Sequence, residues 1–185
     1  MKNIFRGLGA AIFALVLTGC TTVAPQYTAS LDNVSTLKKG SATKAAVAAF
    51  GSANAKVNEV TIRAGAMQSP YDGSYAKYVT EALKQELTLA GKYDQNAGIT
   101  IDGTLLKNEM DASGFVTGYA NIEVRFLVKQ GGTVRFDKVK SVAHQWESSF
   151  AGPVAIPRAL AEYPVAVRKL LTLLYADPDF DAALK

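Results

Sequence analysis

The chain is poor in the side chains on which most catalytic and metal chemistry depends. It has one cysteine, one histidine and one tryptophan among 185 residues. A lone thiol excludes an intrachain disulfide framework, and together with His144 it leaves too few soft ligands for a zinc site. Basic residues outnumber acidic ones, 20 to 16, but no basic run is longer than Lys38-Lys39 or Arg168-Lys169. The clustered positive footprint of a nucleic-acid binder is therefore missing. No apolar run reaches the roughly 20 residues that a spanning helix needs. Neither Gly7-Leu8-Gly9 nor Gly131-Gly132 opens a helix as a phosphate-cradling loop would.

What the chain does have begins at its N-terminus. Lys2 and Arg6 make a positive n-region, Leu8 to Leu17 an apolar h-region, and small residues lead into Leu17-Thr18-Gly19-Cys20. This stretch resembles the lipobox of bacterial lipoproteins. The resemblance implies removal of residues 1–19 as a signal peptide, and a Cys20 that carries a diacylglyceryl thioether and an N-linked acyl chain such as palmitate. Two or more acyl chains anchor stably, at ~0.8 kcal/mol per buried methylene. Thr21, and not Asp, follows the cysteine, which in that family implies sorting to the outer membrane, lipid-anchored and facing the periplasm. Cleavage takes Lys2 and Arg6 from the 20 cations, so 18 face 16 acids and the mature net charge is +2. The mature length suits one domain with its own core.

Residues 20–39, with Pro25 and several Ser and Thr, read as the lipidated N-terminus and a flexible tether that holds the domain off the membrane. A single α+β domain is expected over 40–178, and a tail over 179–185. Lys44 to Phe50 reads as a buried strand and Val57 to Arg63 as a more exposed extended piece. Tyr75, Tyr78, Val79, Ala82, Leu83, Leu87 and Ala90 recur at helical spacing, capped by Ser74 or Asp72 and stopped by Gly91. Three strand-like runs follow, the strongest carrying Ala120, Ile122, Val124, Phe126 and Val128 on one face. Gly131-Gly132 fits a tight hairpin, and the return strand from Val134 to Phe150 is long enough to expect a bulge near Lys138 to Ser141. A second helix carries Leu160, Tyr163, Val167, Leu170, Leu171 and Leu174, with a kink or break expected at Pro164.

The order is β-α-β-β-β-α. It points to a mostly antiparallel sheet of about four strands with two helices packed on one face. Behind a lipobox, this arrangement resembles a group of small envelope-assembly domains. They are those of the lipopolysaccharide-assembly lipoprotein, the lipoprotein activators of penicillin-binding proteins, the curli secretion lipoprotein and the amino-terminal domain of the Tol translocation protein. The residues that carry the resemblance are the run ending at Phe50, the helix Tyr78 to Leu87, Ala90 to Asp94 and the strand at Ile99. It implies an accessory or assembly role through protein–protein contact in envelope maintenance, without a cofactor.

His144 shares a strand face with Val142 and Trp146, and no nucleophile stands beside it, so no enzyme activity is expected. Glu109, Asp111 and Glu123 read as solvated strand-end carboxylates. Candidate partner-binding residues are Arg63 and Tyr71 around the Ser69–Ser74 turn, and Trp146 and Phe150 beside the loop 152–157. Two alternatives stand beside the accessory role. One is a carrier for an amphiphile such as a glycolipid, in a cavity lined by Ile122, Phe126, Trp146 and Leu170. The other is a subunit of a secretion assembly.

Overall fold

The structure, a computed structural model, describes residues 21–63 and 65–185. The expected signal peptide (residues 1–19) and Cys20 lie outside the described residues. In chain order the elements are β1 Thr21–Val23, α1 Leu31–Lys39, β2 Ala46–Val47, β3 Gly51–Ser52, β4 Val60–Ile62, β5 Gly65–Gln68 and α2 Tyr75–Leu89. They continue with β6 Ile99–Asp111, β7 Thr117–Gln130, β8 Thr133–Glu147, α3 Gly152–Tyr175 and α4 Pro178–Ala183. The fold is α+β.

The frame is an antiparallel meander of β6, β7 and β8. In β7 the period of two is complete: Ala120, Ile122, Val124, Phe126 and Val128 are fully buried, while the intervening side chains face outward. Burial of the four larger ones is worth ~1.5–3 kcal/mol each. The hairpin to β8 closes at Gly131 and Gly132, both at positive φ (55° and 84°). On the other side of β6, the short strands β2 and β3 both pair with it in parallel. The run from Lys44 to Phe50 is therefore strand only at Ala46–Val47, with Phe50 turning inward to meet Phe126 edge-on at 5.6 Å. Gly103 makes room for that ring, since a Cβ there would lie 2.8 Å from Phe50. The bulge falls elsewhere than expected: register slips between Val128 and Lys129, and pairing of β8 is unbroken through Lys138 to Ser141.

α2 forms where the apolar spacing places it, with the Ser74 hydroxyl accepting from the Lys77 amide at 3.2 Å. α3 does not break at Pro164 but runs from Gly152 to Tyr175. Proline in a helix costs ~3 kcal/mol. Tyr163, Val167, Leu170, Leu171 and Leu174, all fully buried, return several times that by packing on the sheet.

Three segments differ from expectation. Residues 21–39 are not a loose tether. β1 pairs in parallel with β5, and β5 in turn with β4, which makes a separate three-stranded sheet. Ser30 then caps α1, whose Val34 and Leu37 are buried. Val57 belongs to a 3-10 turn, Ala55–Asn58, that precedes β4. The C-terminal tail is likewise docked: Asp177 caps α4, and Phe180 is buried against Phe136 with ring centroids 5.6 Å apart.

Candidate interaction surface

Among the described residues, the largest exposed aromatic feature stands at the end of the sheet where β7 begins and β8 ends. Phe115 and Phe150 are about 70% exposed and stack in parallel, 5.1 Å between centroids with 4° between planes. Val116 beside them is 70% exposed, and Val154 is half exposed in the first turn of α3. Single exposed apolar side chains are common, whereas these lie side by side.

Arg63 holds this tip in place. It sits in the left-handed region at φ 56°, in the turn between β4 and β5. Its guanidinium donates to the carbonyls of Ala112 (Nε, 3.0 Å), Phe150 (Nη1, 2.8 Å) and Ser149 (Nη2, 2.5 Å). The Ser148 amide closes the base by donating to the Val116 carbonyl at 2.6 Å. A planar fork satisfied by three carbonyls is a brace. Of the four residues expected at a partner surface, Phe150 is at the tip and Arg63 supports it from behind. Trp146 is buried and lies over Gly118, where a Cβ would be 2.3 Å from the indole. Tyr71 packs edge-on against Tyr78 at 5.3 Å, and its hydroxyl accepts from the Tyr27 amide. Trp146 thus belongs to the core, and Tyr71 is a half-buried ring packed against it.

Three polar clusters lie elsewhere. His144 is buried between β8 and α3, its Nε2 2.7 Å from Glu162 and its Nδ1 accepting from Lys169 at 2.8 Å. An ammonium donating to Nδ1 places the ring proton on Nε2, facing the carboxylate. Asp177 accepts from Lys138 (2.9 Å) and Lys140 (2.6 Å), and these two bonds hold its carboxyl well below the usual carboxylate range. Glu86, fully buried, has no cation in ion-pairing distance among the described residues. Its Oε1 instead accepts from the Tyr27 hydroxyl at 2.6 Å and the Ser30 amide at 2.9 Å. Asn33 Nδ2 donates to both carboxylate oxygens, at 3.2 and 3.1 Å. Burial and then the Glu86 carboxylate push the Tyr27 hydroxyl far up from its ordinary value, so it stays a donor. This carboxylate ties the N-terminal segment to α2.

A groove of about 200 Å³ between α1 and the C-terminal Tyr175–Leu184 is walled by Leu37, Leu87 and Phe180. That is below the roughly 300–1,000 Å³ of ordinary ligand sites. Ile122, Phe126, Trp146 and Leu170, the walls expected of an amphiphile cavity, are buried in the packed core. Among the described residues, no group of three or more His, Cys, Asp or Glu side chains is placed to hold a metal ion. No helix among them is long and apolar enough to cross a membrane.

No protein-family model matches the sequence, and the comparison with curated proteins finds no match. Among solved structures, a Xanthomonas campestris protein of family DUF330 superposes with a TM-score of 0.62 at 13% identity. The match covers 88% of this chain and 96% of that one. The two chains share a fold. A candidate lipoprotein of Caulobacter crescentus aligns with a TM-score of 0.47 at 10% identity, over 82% of this chain and 93% of its own.

Phe115 and Val116 were missed by sequence reasoning because Asp111 to Thr117 has no period. The available signal was two large apolar side chains directly after the turn residues Ser113-Gly114, where a solvated loop would carry polar ones.

Proposed function

We propose that this protein is a lipid-anchored accessory protein of the bacterial outer membrane, facing the periplasm and acting in envelope maintenance by binding a protein partner. The observation that carries the reading is the junction between anchor and body. The lipobox residue Cys20 is followed without a spacer by Thr21, which is already strand and paired to Ala66. Acylation at Cys20 would therefore fix a folded domain, and not a loose tail, at the bilayer. The fold shared with the DUF330 protein is compatible with this role. The outward face of the sheet, which carries Tyr119, Arg125 and Val139 and is left uncovered by the helices, is free for a protein partner.

Two experiments test the proposal. Cells fed radiolabelled palmitate should label the wild-type protein and not Cys20→Ala; label on the variant would refute the anchor. A photo-crosslinker placed at Tyr119 should capture an envelope protein in intact cells, and no capture from that face would refute the partner role assigned to it.

A further inference from the structure

We infer that the Phe115–Phe150 tip is a membrane-contact prong, inserted into the interfacial layer of the bilayer that holds the Cys20 lipid. The inference rests on the lipid anchor proposed above and adds an orientation to it.

The short distance along the chain from Cys20 to the base of the tip fixes this orientation. β1 runs parallel to β5 with Thr21 opposite Ala66, and Ala66 lies three residues after Arg63 on the hairpin that carries it. The chain therefore enters the fold at the Arg63 end of the small sheet. Arg63 is in turn bonded to Phe150, Ser149 and Ala112 at the base of the tip. One residue of extended chain spans at most about 3.5 Å, and neighbouring strands are about 4.8 Å apart. An acyl-bearing Cys20 beside Thr21 therefore has no slack to hold this end of the molecule away from the headgroups. Whatever faces the bilayer must include the surface around the β4–β5 turn, and the tip stands on that surface.

The chemistry fits that occupant. Phe115, Phe150 and Val116 are large apolar side chains exposed on a loop that Arg63 braces, so little ordering is required on insertion. Aromatic and aliphatic side chains at this level are what the headgroup–acyl boundary accepts. The nearby charges, Asp111 and Glu147 on the acidic side and Arg158 on the basic side, are exposed. Arg158 donates to the Glu147 carbonyl at 2.9 Å; since desolvating charge is costly, these groups would lie in the headgroup layer while the rings go deeper.

The test uses the mature acylated protein in vesicles of phosphatidylethanolamine with a minority of phosphatidylglycerol. With Cys20 acylated, Val116→Cys supplies the only free thiol for a nitroxide label. Val134→Cys, at the opposite end of the β7–β8 hairpin, is the control. Electron paramagnetic resonance should find the label at 116 several-fold more accessible to oxygen than to a water-soluble nickel chelate, and the label at 134 the reverse. Adding Phe115→Ser and Phe150→Ser should return the 116 label to water while the protein still floats with the vesicles. A water-exposed 116 label on protein that floats would overturn the prong and leave the anchor intact. Protein that does not float would refute the anchor itself. Protection at 116 that arises only when envelope protein is added would assign the tip to a protein partner and overturn the inference.

Discussion

Glu86 decides whether the first twenty residues of the described chain belong to the body, and its removal has a calculable effect. The carboxylate is fully buried and satisfied by donors alone: the Tyr27 hydroxyl, the Ser30 amide and the Asn33 side-chain amide. Glu86→Ala removes the acceptor that all three share. Asn33 keeps its bond to the Arg168 carbonyl at 3.1 Å, so the uncompensated loss falls mainly on Tyr27 and Ser30. An unsatisfied buried donor costs ~1–3 kcal/mol, so the variant should lose about 3–5 kcal/mol with the vacated volume included. Glu86→Gln keeps the shape but turns an NH₂ toward the Asn33 NH₂, and should lose about 2 kcal/mol. Denaturant unfolding measures both. A double-mutant cycle of Tyr27→Phe with Glu86→Ala, which removes the acceptor, should give a coupling of at least about 1 kcal/mol. Native-state hydrogen exchange adds the spatial test, because the α1 amides should lose protection in Glu86→Gln while those of β7 keep it. A coupling near zero, or α1 protection unchanged in the variant, would refute the assignment of this carboxylate as the clasp of the N-terminal segment.

Three further outcomes follow from the geometry. The Asp177 carboxyl titrates below its unfolded value because Lys138 and Lys140 favour the charged form, so its contribution is present above about pH 4 and fades as pH falls. The gap of about 1–2 kcal/mol between wild type and Asp177→Asn at pH 7 should therefore narrow progressively as pH falls below about 4; a gap constant with pH would contradict the ion pairs. Gly118→Ala drives a Cβ into the Trp146 ring, should cost about 1–3 kcal/mol, and should shift the emission of the protein's one tryptophan to the red. An unchanged spectrum would mean that the indole is not seated there. Arg63→Ala removes three bonds to carbonyls and should cost about 2 kcal/mol, with new protease cleavage near Ser149 to Ala151. Wild-type resistance in that loop would show that the brace is dispensable.

The parts of the fold that were legible are those with a long period. β7 repeats its apolar face over five alternate residues, and α2 keeps one stripe from Tyr75 to Leu87, so burial follows from spacing. β1, β4 and β5 span three or four residues each, too few for a period to register. α1 is mostly polar on paper (Asp32, Asn33, Ser35, Thr36). It is held by Val34 and Leu37 and by the bonds of Tyr27, Ser30 and Asn33 to Glu86, which lies more than fifty residues away. Such tertiary partners override local propensity, and they are why a segment with the composition of a tether is docked. At the tip, Phe150 was readable as an aromatic beside a Gly-Pro loop, whereas Trp146 shares its chemistry and sits inside and Tyr71 lies half-buried against the core. Residue type marks candidates for contact, and only packing separates a buried ring from an offered one.

The proposed anchor is a thioether at Cys20 joined directly to the first strand. Mass spectrometry of the intact N-terminal peptide, from protein extracted out of native membranes, reads that bond. The expected peptide begins at Cys20, carries a diacylglycerol and an N-acyl chain, and continues into Thr21. A free thiol at that position, or a mature terminus upstream of it, would contradict both the anchor and the orientation built on it.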